Sequence, residues 1–347
     1  MDARAIANPP NPFLSSDREY LEGCDPGAKI EVWEDHTREI LAHNDSPDLG
    51  FRWSVNPYRG CMHSCAYCYA RPTHEYLSLG AGTDFDTKIA VKTKAPEILR
   101  ASFDKKSWQG DVVMFSGVTD CYQPLEASYR LTRGCLEVCA EYKNPVGVIT
   151  KSALVERDID VLQQLHRDAF VNVSVSIPFF DEDNARKIEP WVPSPSRRLR
   201  IVETLAKAGI KVGVMLAPVI PGLTDEDIPR ILEAAASAGA SHAGYVLLRL
   251  PGAVKQVFEE RVRAAFPLRA DKILHRVRET RGGELYDPRY GMRQVGEGQY
   301  AETIAQIFTT TAKRVGLWDR RAHDGSHEEV TTFCRPAGKK GPQLSLF

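Results

Sequence analysis

The sequence predicts an α/β protein built on a partial (β/α)6 barrel, with an irregular N-terminal extension and a helical C-terminal region. Three observations carry that prediction. From residue 51, short runs rich in β-branched and aromatic residues alternate with longer amphipathic runs, the pattern of βα units around a parallel sheet. Two helical runs, in TLAKAGIKVGV and AAASAGASHAGYV, close on glycine just before the next strand, as a C-terminal glycine cap predicts. Six such units leave the barrel partly open; a doubly wound sheet is the second choice.

Taken in order, residues 1–50 are rich in Pro, Asp, Asn and Gly and read as an irregular extension wrapping the core. The strand candidates are 51–56, 112–116, 146–150, 170–177, 211–217 and 243–249. Helical runs lie near 66–79, 125–142, 153–167, 197–208 and 225–238. Residues 51–250 form the barrel core. Residues 251–317 form the helical C-terminal region, with an irregular break at 282–298. Residues 318–347 turn polar and read as a flexible tail. No repeat of fixed period appears beyond the βα alternation.

The 347 residues are 43% hydrophobic and 26% charged, ordinary values for a soluble protein that buries a real core. The net charge of -1 gives no global basic field for nucleic acid, although a local patch would be invisible in that sum. No stretch reaches the about 18–20 apolar residues of a membrane span. The start, MDARAIANPPNPFLSSDREYLEG, lacks the basic end and apolar run of a secretory signal. A cytoplasmic protein is expected. Thiols stay mostly reduced there, so clustered cysteines point to metal or catalysis before disulfides.

Three of the eight cysteines, Cys61, Cys65 and Cys68, lie in NPYRGCMHSCAYCYAR, directly after the first strand candidate. Spaced Cys-x3-Cys-x2-Cys, they can bring three thiolates to one face of an ion or cluster. Zinc could take them with His63, although His63 is closer to its neighbours than zinc ligands usually are. A [4Fe–4S] cluster could take them and keep one iron open. Three core cysteines is the plain alternative, and the polar, turn-like sequence weakens it. The C-terminal end of a first strand is also where α/β barrels place chemistry.

The motif, with Tyr67 before its last cysteine, resembles the signature of radical S-adenosylmethionine (SAM) enzymes. The longer run NPYRGCMHSCAYCYARPTHEYL is similar to a bacterial subgroup related to spore photoproduct lyase. The resemblance covers about residues 51–250. It implies a [4Fe–4S] cluster on the three cysteines and SAM on the open iron. It also implies an electron donor such as flavodoxin or ferredoxin. One electron would cleave SAM to a 5′-deoxyadenosyl radical, which abstracts a hydrogen atom. The protein would position these groups and exclude water.

The resemblance also marks secondary sites. Tyr67 would pack on the adenine. Ser116, Thr119 and Asp120, in FSGVTDCYQP after the second strand, stand where the family contacts SAM's amino group; a turn ending on Asp is an equal reading. Lys151 stands where the lyase relatives place a lysine near SAM's carboxylate, against a solvent lysine at a helix start. Ser174 and Ser176 share one strand face, and one of them would meet the ribose if that face is the interior. The Pro-Gly loop of VMLAPVIPGLTD would back the adenine. Arg249 could bind an anionic substrate or pair with a carboxylate, on equal terms.

The lyase uses a cysteine as hydrogen-atom donor in this part of the chain, and the matching position here is Gly117. Cys121 and Tyr122 are near enough in sequence to substitute, with ordinary loop residues as the plainer reading. Cys135 and Cys139, spaced i, i+4, read as buried helix cysteines. Cys24 and Cys334 look incidental.

The chain ends in Gln343, Leu344, Ser345, Leu346 and Phe347, which resemble the pentapeptide by which bacterial polymerases and repair proteins hold the sliding clamp. Such a peptide inserts Leu and Phe into a preformed pocket at modest ordering cost. Lys339 and Lys340 would add charge attraction toward an acidic partner or DNA. A fold-back of the terminus onto the core is the alternative. Together these features predict a radical SAM enzyme acting on DNA, as in lesion repair by a lyase. Modification of RNA, a protein or a metabolite is the alternative within that chemistry. A non-catalytic zinc-binding interaction module is the alternative from another class.

Overall fold

A computed structural model describes residues 29–318 and 331–336. Its main sheet holds seven strands in the order β10-β9-β8-β7-β6-β3-β2. These are β2 (Leu41–His43), β3 (Trp53–Val55), β6 (Val113–Phe115), β7 (Val146–Thr150), β8 (Val171–Ser176), β9 (Val212–Val219) and β10 (His242–Leu247). The six from β3 to β10 are parallel, and β2 is antiparallel to β3. Each parallel strand lies beside the next one in the chain, with no reversal. A doubly wound sheet needs a reversal, so the winding is that of a barrel. Its edges, β10 and β2, stay unpaired with each other, and the barrel is open.

All six expected strands are present. The extension holds more order than its composition suggests. β1 (Glu31–Glu34) pairs in parallel with β5 (Lys88–Val91), which pairs with β4 (Tyr58–Arg59) in a second small sheet. The partners of β1 lie more than fifty residues away, so no local pattern announces it.

The helices in order are α1 (Thr83–Thr87), α2 (Ala95–Asp104), α3 (Glu126–Tyr129), α4 (Leu131–Glu141), α5 (Ile159–Asp168), α6 (Glu182–Ile188), α7 (Pro195–Lys207), α8 (Ile228–Ser237), α9 (Val254–Ala265), α10 (Ala270–Glu279) and α11 (Gln299–Arg314). α1, α2 and α6 lie outside the expected helical runs, and the helical run expected near 66–79 is instead a loop followed by a short 3-10 turn at Arg71–Leu77. α2 carries the usual signals: Pro96 in its first turn, and Leu99 and Phe103 buried one turn apart. α7 opens on a Ser194 cap whose hydroxyl accepts the Arg197 amide, followed by Pro195 at its first position.

The sheet has two unlike faces. Val148, Val173, Val175 and Val214 point outward and merge with Leu136, Leu162, Ile201 and Ile231 of the helical layer in one core. A second core joins the cysteine loop to the C-terminal helices. Ala66 and Tyr67 pack there with Ile188, Leu248, Phe258 and Ile273. α11 lies along α8, with Phe308 against Tyr245 of β10 at 4.7 Å between ring centroids.

Within the stretch read as a flexible tail, residues 331–336 are docked. Phe333 packs on Tyr142 and Phe103, and the Cys334 amide donates to the Tyr142 carbonyl at 2.8 Å. Arg335 donates to the carbonyls of Phe103, Lys105 and Trp108. Its host is assembled from two segments, 103–108 and Tyr142, both about 190 or more residues earlier in the chain, so no local pattern announces it. Among the described residues, no helix is long and apolar enough to cross a membrane.

Candidate functional site

Cys61, Cys65 and Cys68 lie on the loop between β4 and a short 3-10 turn at Arg71–Leu77. Gly60 starts the loop at φ +81, and a Cβ there would meet His74 and Ile89 at 2.8 Å, so glycine is required. Arg71, fully buried, folds the loop around its guanidinium. It donates twice to the Cys65 carbonyl, to the carbonyls of Ala81 and Gly82, and to the Asp86 carboxylate at 2.8 and 3.1 Å. The Cys61 amide donates to Phe85 and the Ala66 amide to Ile188.

The loop after β6 locks onto it from the side. Asn56 accepts the amides of Gly117 and Val118 at 2.7 and 3.0 Å. Gln123 accepts the Met62 amide and donates to the Gly60 carbonyl. Thr119 donates to that same carbonyl at 2.6 Å. Ser116, held at φ +80, accepts the Cys121 amide. Asp120 accepts from the Tyr122 amide, the Thr150 hydroxyl and the Lys151 amide, and lies 3.4 Å from His63 Nδ1. The Ser116, Thr119 and Asp120 side chains thus build the two loops into one unit. Asp120 in particular is fully occupied.

The electrostatics fit a cluster. Burial raises the Cys61 thiol, but His63 beside it overcomes this and leaves it lowered. Burial also opposes the charged form of His63, but Cys61 and Asp120 together raise it to about 10. Burial and then Glu189 push the Cys65 thiol well up, and burial and then Cys61 push Cys68 up to about 11. The three thiols therefore sense one another and resist sharing three negative charges. Three thiolates coexist there only around a positive group. Among the described residues, no three His, Cys, Asp or Glu side chains converge as ligands of one ion. A four-iron cluster, giving each cysteine its own iron, suits a more open set. His63 is engaged with both Asp120 and Cys61.

Tyr67 is anchored by its hydroxyl, which donates to Glu189. Glu189 is in turn ion-paired with Arg198, and both are about 1% exposed. Arg198 also donates to the carbonyls of Ser176 and Pro193, both at 2.9 Å. Lys151 stands 5.7 Å over the Tyr67 ring and draws down the thiols of Cys65 and Cys68. Arg71, Glu189 and Arg198 escaped the sequence reading. Glu189 and Tyr67 are 122 residues apart, and nothing local signals the pair.

The inner face of the sheet lines the space beside this loop. Register puts Ser54, Met114, Ile149, Asn172, Ser174, Ser176 and Met215 on the face opposite the buried valines. Ile149, Asn172, Met215 and Gly244 are partly exposed while their outward neighbours Val148, Val173, Val214 and Ala243 are buried, as expected of a cavity wall. Ser174 and Ser176 therefore lie on the interior face. Gly213 makes room for His242, whose ring would stand 2.2 Å from a Cβ. The Asn172 side-chain oxygen and the Arg249 Nε are buried without a hydrogen-bond partner.

Cys121 and Tyr122 need correction. Both are fully buried in the main core. The Tyr122 hydroxyl faces the Asp158 carboxylate without a bond of good geometry, on the side of the helical layer. The Cys121 carbonyl accepts from the Thr132 hydroxyl of α4, and both side chains are at 0% exposure among core residues. Cys135 and Cys139 are buried on α4, as their spacing suggests. Cys24, Lys339, Lys340 and Gln343–Phe347 lie outside the described residues.

Residues 55–235 match the family model described as the Radical SAM superfamily. An uncharacterized protein of Mycobacterium tuberculosis (strain H37Rv) is 37% identical over 261 residues, 74% of this chain and 75% of the relative. A radical SAM Nα-GlyT isomerase of Pseudomonas phage M6 is 26% identical over 222 residues, 62% of this chain and 44% of the isomerase. In fold, the chain is similar to spore photoproduct lyase complexed with dinucleoside spore photoproduct. The TM-score is 0.59 at 17% identity, over 83% of this chain and 80% of the lyase.

Proposed function

This chain belongs to the radical SAM superfamily, with a [4Fe–4S] cluster and SAM as its cofactors, and on that premise we propose that it acts on DNA, as a lesion-repairing lyase. Bound together, the reduced cluster and SAM supply a 5′-deoxyadenosyl radical able to abstract a hydrogen atom. The chain's own residues do the holding. Cys61, Cys65 and Cys68 are the ligands. Tyr67, braced by Glu189, presents its ring toward Lys151, whose ammonium suits the SAM carboxylate. Ser174 or Ser176 suits the ribose from the inner face. The Ser116–Asp120 loop offers SAM's amino group little side-chain capacity, so its part is to fix the cysteine loop.

The observation that carries the enzyme reading is the loop of Cys61, Cys65 and Cys68, ordered by Arg71 and Gly60 within residues 55–235 that match the Radical SAM family model, with Lys151 over the Tyr67 ring beside it. The DNA part is supported by the lyase of similar fold, whose bound ligand is a dinucleoside, and by the clamp-like Gln343–Phe347. The phage relative favours a second reading, in which the radical rearranges bonds as in an isomerase rather than breaking a lesion.

The test is to incubate reconstituted protein and SAM, without oxygen, with ultraviolet-damaged DNA, undamaged DNA, RNA and a metabolite pool. Faster 5′-deoxyadenosine formation with damaged DNA alone supports repair. Stimulation only by RNA or metabolites defeats the DNA reading. Removing Gln343–Phe347 is expected to abolish affinity for a bacterial sliding clamp, and equal binding by the shortened protein removes the tail from the argument.

A further inference from the structure

The open seam of the barrel is closed by a small set of bonds. Asp48, between β2 and β3, accepts the Gly291 amide and pairs with Arg293; Arg293 also donates to Ser46. Gln294 donates to the Asp48 carbonyl and accepts the Leu247 amide from β10. The segment 282–298 thus ties the β2–β3 loop to the C-terminal end of β10.

Aromatic rings and arginines alternate along this bridge. Arg249, just past β10, lies over the Tyr69 ring at 5.3 Å. Tyr69 immediately follows Cys68, donates to the Gly117 carbonyl, and is 48% exposed. Arg293 lies over the Tyr290 ring at 4.4 Å, and Tyr290 is 60% exposed. Each tyrosine is backed by a guanidinium and open to solvent.

Arg249 itself has no ion pair among the described residues. The Asp48 carboxylate, its electrostatic neighbour, is taken by Arg293 and Gly291. Arg281, the other cation beside it, donates to the carbonyls of Leu248 and Met292; its Nε is also unpartnered, but at 3% exposure it lies below the rim. The Arg249 Nε is buried and unpartnered. The residue as a whole stays partly exposed, so an anion that reaches it completes the bonding of the guanidinium. Lys151 stands by the thiols, on the cofactor's side. Arg249 is therefore the rim cation left for the substrate.

We infer that this rim is a binding strip for unpaired nucleotides of a DNA strand, with Arg249 contacting phosphate and Tyr69 and Tyr290 serving as stacking platforms. It rests on the DNA reading above and adds the residues that recognise the substrate. Alternating aromatic faces and arginines are what unpaired nucleic acid uses, because every base has a stacking face and every linkage a charge. A duplex presents neither face until a base is turned out. An acidic peptide would use the arginine but not both open rings.

The test measures binding of a fluorescently labelled single-stranded DNA oligonucleotide to the full-length, cluster-loaded protein across a salt series, beside the same sequence as duplex and as RNA. Arg249→Gln is expected to weaken binding about tenfold and to reduce the slope of log affinity against log salt by about one. Tyr290→Ser, on an exposed loop, is expected to weaken binding about fivefold or more with the slope unchanged, because stacking releases no counterion. Arg263→Gln, an exposed arginine on α9, serves as the charge control, and iron content shows that each variant is folded. Equal affinity and slope for Arg249→Gln and Arg263→Gln overturns the strip. Wild-type protein that binds no oligonucleotide, or prefers duplex or RNA, overturns it too. If that protein still cleaves SAM, the superfamily chemistry stands and only the DNA reading falls.

Discussion

Around the cysteine loop most polar groups have partners, the His74 Nδ1 and the Tyr122 hydroxyl being the exceptions, whereas the inner face at β8 and the end of β10 carry unpartnered groups that face the barrel interior. On the first side Arg71 makes bonds to three carbonyls and a carboxylate, Asp120 accepts three hydrogen bonds, and Glu189 is shared between Tyr67 and Arg198. On the second, the Asn172 oxygen and the Arg249 Nε have none. The difference teaches what each side is for. Cofactor ligands need fixed positions, which a saturated network supplies. A substrate must find groups whose bonding is unfinished, and stability is given up there to leave them so.

That contrast can be attacked by substitution. Glu189→Gln leaves the Arg198 guanidinium unpaired in a site about 1% exposed. It is expected to cost about 3–5 kcal/mol in chemical denaturation, since breaking a buried pair strands its partner. A loss below about 1 kcal/mol would show that the saturated side is not what holds the loop.

Asp48→Asn weakens the seam and should cost about 1–2 kcal/mol near neutral pH. Burial raises the Asp48 carboxyl, but the Gly291 amide and Arg293 hold it below its ordinary 3.8. A depressed carboxyl stabilises above its unfolded value and loses that contribution as pH falls. The gap in melting temperature between wild type and Asp48→Asn should hold steady above about pH 5 and narrow below 3.8. A gap that widens on acidification would mean the tie is not ionic.

Phe333→Ala removes the ring packed on Tyr142 and Phe103 and should lower stability by about 1 kcal/mol, with faster proteolysis after residue 318. Asn172→Ala should change stability least, within about 0.5 kcal/mol, because the lost oxygen had no partner. A large loss there would erase the contrast between the two sides.

The strands of the barrel were legible because each is a local run, and Val171–Ser176 shows why: its alternation of valine with polar residues reads the same in the sequence as in the sheet. Cys61, Cys65 and Cys68 were legible for the same reason, being gathered within eight residues. Glu189, Arg198 and Arg71 were not, because their roles exist only after distant segments meet. β1 escaped similarly, as its only strand partner among the described residues is β5. Proximity of Cys121 to Gly117 in sequence says nothing about direction; the chain turns at φ +80 on Ser116, and the thiol enters the core.

The central claim is that the three thiols hold a cluster that works on SAM. Its most direct measurement compares wild type with Cys65→Ala after reconstitution without oxygen, reading bound iron and 5′-deoxyadenosine formed under reductant. Wild type should bind about four irons per chain, absorb broadly in the visible and cleave SAM, and Cys65→Ala should lose cleavage and most of its iron. A colourless wild-type protein carrying one zinc, or cleavage unchanged in Cys65→Ala, would contradict the account.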